Sequence, residues 1–275
     1  MNASQPVSLS PAPTFPAARV TPNAGHAFGG VWRLTVCRFF APMHWIVLAG
    51  LLVVLVLFSI PTSPNQAAAA QGFLPWVGGF YLTFLVPILA FLTAAGVMRD
   101  EMKGGTVDYV LTRPLGRPVF VLFKFLSHLA CAQLDFLCAF AVVVGIGVYW
   151  EVPGLWAAGP LLLLAQAMVI TAFSAFGFLG GVLTSRYVIV GLLYGGIVEI
   201  GLGRIPTQLS RLSMTRHVRT LWDSVTRLPG TEGIVAESST LGVVAALFAF
   251  TVVMVAIAAT VFAWLELASV QSRES

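Results

Sequence analysis

Six apolar runs, at about residues 44–60, 75–97, 125–149, 158–184, 187–203 and 240–265, alternate with polar or charged intervals along the chain. Each run approaches or exceeds the ~20 residues an α-helix needs to cross a hydrocarbon core. The pattern predicts an all-α, polytopic membrane protein with six transmembrane helices. Trp45, Trp76, Trp150, Trp156 and Trp264 fall near the ends of these runs, as interfacial anchors do. Pro87 sits inside the second run and predicts a kink whose freed carbonyl a neighbouring helix must satisfy. Small residues gather in the fourth run (Gly177, Gly180, Gly181) and in the sixth (Ala245, Ala246, Ala256, Ala258, Ala259), where they permit close helix approach.

The longest charged interval between two runs is 99–117. It reads as two short helical pieces broken at Gly104-Gly105, a helix-ending signal. Thr106 suits the cap of the second piece, and Asp108 its first turn. Val107, Val110 and Leu111 share a face, Pro114 ends the piece, and Arg117 and Lys124 lead into the third run. Such a partly apolar knob between two membrane helices predicts docking by something outside the membrane. A second amphipathic stretch runs from Arg216 to Leu228. Val218, Leu221, Trp222, Val225 and Leu228 form its apolar face, opposite Arg216, Arg219, Asp223 and Arg227. It predicts a surface-lying helix dipping into lipid or protein, either lining an exit or tethered to headgroups.

Composition agrees with a membrane protein: 275 residues, 58% hydrophobic and only 9% charged, with mean hydropathy +0.90. The net charge of +4 is no nucleic-acid signal, because Lys and Arg lie between the runs rather than on one face. With the N-terminus inside, ten of the fifteen Lys and Arg fall on the inner side; the other five are Arg204, Arg211, Arg216, Arg219 and Arg227. Positive-inside reasoning therefore puts both termini inside, and a re-entrant fifth run would bring the Arg-rich loop inside as well. Residues 1–26 read as a disordered tail without the pattern of a cleaved signal peptide, and 269–275 as a C-terminal tail. Between 27 and 41, Phe28, Val31, Trp32, Phe39 and Phe40 around Arg33 and Arg38 predict an N-terminal interfacial helix or, more simply, a basic stub.

Catalytic signatures are absent. There is no Walker A motif, no Gly-Lys dipeptide, no His-Glu-x-x-His, no Gly-x-Ser-x-Gly and no closely spaced cysteine pair. Three cysteines, Cys37, Cys131 and Cys138, argue against a disulfide framework. In the third run His128, Cys131, Asp135 and Cys138 recur at i, i+3, i+7 and i+10. Such a face packs against other helices, lines a substrate path, or binds a soft metal ion; packing is the favoured reading and no metal site is assigned. A partner for Asp135 is expected from the fourth run, at Gln166 or Ser174. Glu199 is the other embedded acid on a possible substrate path, read mainly as a hydrogen-bonding group at a helix end.

Glu101-x-x-x-Gly105-Thr106, a helical piece ending Leu111-Thr112-Arg113-Pro114, and then Arg117 and Lys124 resemble the cytoplasmic loop of type-2 ABC exporter permeases. Leu192-Leu193-Tyr194, Glu199, Pro206, Leu212-Ser213, His217 and Arg219 resemble the outer segment of its multicopper-enzyme-maturation-like subgroup. The likeness covers about 27–268. It departs at Arg33-Leu-Thr-Val-Cys-Arg38, where the family often carries a basic-acidic pair. The resemblance implies a permease subunit in the inner or plasma membrane, paired with a second permease subunit and two ATP-binding subunits. ATP and Mg would sit in those partners, with no cofactor in this chain. The 99–117 loop would be a coupling helix, with Glu101, Gly105 and Thr106 shaping the contact, Val107, Val110 and Leu111 packing into the ATPase, Pro114 closing the helix and Arg117 anchoring its end. A secondary transporter or a membrane assembly factor without an ATPase are the other classes the residues leave open.

Overall fold

The computed structural model describes residues 24–39, 42–59, 66–103, 116–201, 213–226 and 240–274. All the regular elements among them are helical. In chain order they are α1 (Ala24–Phe39), α2 (Pro42–Ser59), α3 (Gln66–Trp76), a π-helical stretch (Val77–Leu85), α4 (Val86–Lys103), α5 (Arg117–Tyr149), α6 (Leu155–Leu183), α7 (Tyr187–Tyr194), a second π-helical stretch (Gly195–Gly201), α8 (Met214–Thr226) and α9 (Thr240–Glu274). Among the described residues four segments are long and apolar enough to cross a bilayer: Ala70–Met102, Arg117–Tyr149, Leu155–Leu183 and Thr240–Trp264. Two further apolar stretches, Leu48–Leu57 and Tyr187–Glu199, are shorter.

The second run is one continuous rod through α3, the first π stretch and α4. Pro87 follows the π stretch directly, in the first turn of α4. Proline offers no N–H and its ring crowds the carbonyl four residues earlier; a widened π turn upstream relieves both problems. The third helix begins at Arg117, earlier than its apolar run suggests, because Gly116 is the N-cap and Pro118 occupies the first turn. Arg117 and Lys124 therefore belong to α5 itself. At the far end of α5 the chain reverses within five residues, and Gly154 takes a left-handed conformation (φ 75°) there to start α6.

The most extensive helix pair is α4 with α6. Its closeness comes from glycine. A Cβ on Gly177 would lie 2.4 Å from the Phe91 carbonyl oxygen, and one on Gly181 would lie 2.5 Å from that of Ala95. The small-residue expectation for the fourth run is met there. In α9 only Ala258 is fully buried, while Ala245, Ala246 and Ala256 are exposed. Two apolar cores result. One gathers Phe73, Val77, Tyr81, Leu155 and Val243 with Val218, Leu221 and Trp222 of α8. The other gathers Met98, Phe120, Phe125, Phe178 and Phe262 with Val31 of α1.

The apolar face of α8 is thus seated on protein. Trp222 lies against Gly78, where a Cβ would come within 2.2 Å of its indole nitrogen. Gly78 precedes Glu101 by 23 residues on the same rod, ~35 Å at 1.5 Å per residue. Consequently α8 and the Glu101 end of α4 lie at opposite ends of the bundle.

Candidate functional site

At the loop end, α4 finishes and α5 begins with two charges facing each other. Lys124 Nζ lies 2.9 Å from Glu101 Oε1, with side chains only 3% and 9% exposed. One charge comes from each helix flanking the loop, so the pair ties those helices together where the loop leaves them. Buried charges of this kind persist only when paired. Arg117, the first residue of α5, donates from Nη1 to the Ala263 carbonyl at 3.5 Å and so reaches α9. The same end is covered by α1, whose Phe28 meets Phe123 edge-on at 5.3 Å and whose Val31 is buried. Of the coupling residues expected from sequence, Glu101 and Arg117 are thereby placed; Gly105, Thr106, Val107, Val110, Leu111 and Pro114 lie outside the described residues.

The polar stripe of α5 shares one face, as its spacing implies, but is unevenly buried. His128 and Cys131 are buried, Asp135 is half-buried and Cys138 is exposed. All four positions lie within an arc of about 80° at 3.6 residues per turn, so what packs at each level of α5, and not rotation, sets their exposure. His128 packs beside Phe178, ring centroids 5.7 Å apart, and its Nε2 has no hydrogen-bond partner. Among the described residues no three His, Cys, Asp or Glu side chains gather as metal ligands. Gln166 and Ser174 are not the partners of Asp135. Gln166 instead accepts from the Tyr81 hydroxyl at 2.6 Å and donates to the Phe136 carbonyl at 2.9 Å. Ser174 Oγ is buried without a hydrogen bond. A second polar link between α5 and α6 comes from Gln133, donating to the Ala167 carbonyl and to Thr171 Oγ1. Gln133 and Gln166 were detectable as amides inside apolar runs.

At the opposite end, Glu199 caps α8. Its carboxylate accepts from Ser213 Oγ at 2.5 Å, from the Met214 N–H at 3.0 Å, and from the N–H and hydroxyl of Thr215. Ser213 is the N-cap, and its own Oγ accepts from the Arg216 N–H at 3.1 Å. The first three N–H groups of α8 are therefore satisfied, and the negative charge sits at the positive end of the helix. Tyr194 joins the group through its hydrogen bond to Glu199. The sequence reading of Glu199 as a helix-end group holds, with the difference that the end belongs to the next helix. Beside the carboxylate a cavity of ≈ 370 Å³ opens between α4, α6 and α7.

Comparison with known proteins bears on both ends. Residues 38–267 match the family described as ABC-2 family transporter protein. The chain belongs to that family. A probable ABC transporter permease protein NosY of Pseudomonas aeruginosa is 34% identical over 113 residues, 41% of this chain and 36% of that protein. The protein of the same description from Stutzerimonas stutzeri is 40% identical over 65 residues, 24% of this chain and 21% of its own length. Each alignment thus spans about a third or less of the relative it matches. Family and apolar helices together make this a multi-pass membrane protein of the ABC-2 transporter family.

Proposed function

We propose that this ABC-2 permease couples ATP hydrolysis in a separate subunit to export, acting as one of two permease subunits with two ATP-binding partners. The Glu101–Lys124 pair carries the reading. It sits at the root of the interval that looks like a coupling helix, so a force on that loop reaches α4 and α5 at one shared point. Arg117 extends the connection to α9. In this reading Leu48–Leu57 and Tyr187–Glu199 belong to two further spans, making six. The loop and both termini face the cytoplasm, α1 lies at the inner interface, and α8 faces the outside. The ten-to-five distribution of basic residues supports that orientation, as does the ~35 Å separating α8 from Glu101.

The test is co-purification with the ATP-binding subunit. Replacing Val110 and Leu111 together with Asp is expected to release that subunit while the permease stays in the membrane, because each buried unpaired carboxylate costs several kcal/mol. Undiminished co-purification of the double variant would remove the proposal. Impermeant thiol labelling in a background lacking the native cysteines addresses orientation: Ser238→Cys is expected to react in intact cells and Thr112→Cys only after lysis.

A further inference from the structure

The cavity beside Glu199 has features that a packing gap does not need. It measures ≈ 370 Å³, within the ~300–1,000 Å³ of small-molecule sites. Its floor is aromatic: Phe91 from α4 and Phe173 and Phe176 from α6. Both π-helical stretches border it, the first through Thr83 and Phe84 and the second through Gly195, Gly196 and Glu199. π-helical turns are rare, and where they persist they often mark functional sites. Gly195 and Gly196 line the space with nothing within 4 Å of where a Cβ would stand, whereas at Gly191 a Cβ would collide with Phe91 at 2.5 Å. The opening is therefore made by two glycines in succession rather than by loose packing along the whole helix.

We propose that this cavity is a binding site for an uncharged, mostly hydrocarbon molecule that enters from the bilayer. The chemistry of the lining selects the class. Among the described residues Glu199 is the one carboxylate or base on the wall, and its two oxygens already accept four hydrogen bonds from Ser213, Met214 and Thr215 besides the one from Tyr194. A carboxylate offers about four lone-pair sites, so no acceptor is left over for a cationic ligand. The hydroxyls of Thr83, Thr215 and Tyr194 on the wall are likewise engaged, with the Gly79 carbonyl or with Glu199, and the remaining lining is apolar apart from its glycines. Phe84, Ile88 and Leu192 at the cavity are exposed on the outer surface of a membrane-spanning body, which makes the hydrocarbon the natural route of entry. The site stands independently of the coupling to ATP proposed above.

The experiment uses the full chain in phosphatidylcholine nanodiscs and a small neutral probe, 3-trifluoromethyl-3-phenyldiazirine, photolysed and mapped by peptide mass spectrometry. Phe91 and Phe173 are 5% and 6% exposed and lie out of reach of bulk lipid. They are expected to carry adducts, alongside the exposed Phe248. Gly195→Leu and Gly196→Leu, tested separately, are expected to lower labelling at Phe91 and Phe173 about tenfold, as loss of ~1.4 kcal/mol of binding would. Labelling at Phe248 should stay unchanged in both. A quaternary-ammonium derivative of the same diazirine is expected to label the two buried rings about tenfold less than the neutral probe. Absence of adducts at Phe91 and Phe173 in the native chain would overturn the site. So would undiminished labelling in both glycine variants. Equal labelling by the cationic probe would overturn the ligand class.

Discussion

Glu101 and Glu199 stand at opposite ends of the bundle, and the chain neutralises them by different means. Glu101 faces a full opposite charge on another helix, Lys124, in a buried contact. Among the described residues Glu199 has no lysine or arginine side chain as a hydrogen-bond donor; it is held by backbone N–H groups and hydroxyls of three consecutive residues, 213–215, and by the Tyr194 hydroxyl. In the first arrangement the loss of either partner removes a whole counter-charge from a buried group. In the second the load is spread over several partial charges, and the loss of one leaves the others in place. The loop end is therefore all-or-none and the α8 end graded.

Removing one charge at the loop end is the strongest way to break this contrast. Lys124→Met should cost about 3–5 kcal/mol of unfolding free energy in mixed micelles, since it takes the facing cation away from the buried Glu101 carboxylate. The double variant Glu101→Leu with Lys124→Met is expected to be more stable than Lys124→Met alone. A double variant at least as unstable as the single would mean that the pair does not act as the counter-charge device described. Next in size is Gly78→Ala. Its added methyl collides with the Trp222 indole, an overpacking cost of about 1–3 kcal/mol. Hydrogen exchange in α8 should rise while that around Glu101 stays fixed; an unaltered α8 would show that the helix seat is not held at Gly78. Glu199→Gln comes below that, at about 1 kcal/mol, the usual worth of a helix cap. Its effect should appear as faster exchange at the N–H groups of Met214 and Thr215, and a loss as large as that of Lys124→Met would erase the distinction between the ends. The smallest expected change is Asp135→Asn, half-buried on α5, which should leave assembly and ATP-driven activity largely intact. Loss of activity in a complex that still assembles would give Asp135 a proton or cation role.

Local pattern was enough to read some of this from sequence. Val218, Leu221 and Trp222 recur at helical spacing, and all three are buried in α8. Gly177 and Gly181 fall four apart and meet α4 as small residues do. What escaped was non-local or depended on geometry finer than hydrophobicity. Glu101 and Lys124 both marked the loop region, yet a separation of 23 residues gives no register by which to pair them. Glu199 was visible as an embedded acid, but its partners come 14 to 16 residues later, across a segment outside the described residues. The run of apolar residues placed the start of the third helix near 125, whereas Gly116 and Pro118 begin it at Arg117. The i, i+3, i+7, i+10 spacing put His128, Cys131, Asp135 and Cys138 on one face, but their uneven burial depends on which helix packs at each level and was not legible in the spacing. Two π-helical stretches left no trace in composition.

The glycine-to-carbonyl contacts between α4 and α6 have a mechanical consequence. Backbones pressed together at Phe91 and Ala95 have no compressible side chains between them, so the two helices form a stiff strut rather than two sliding rods. The longer member, Ala70–Met102, spans 33 residues, or ~50 Å at 1.5 Å per residue. A tilt of about 5° applied at its Glu101 foot moves Gly78, ~35 Å along the rod, by ~3 Å. The head carries Gly78, on which Trp222 rests. A small rotation at one membrane surface thus becomes, at the other, a displacement comparable with a methyl group.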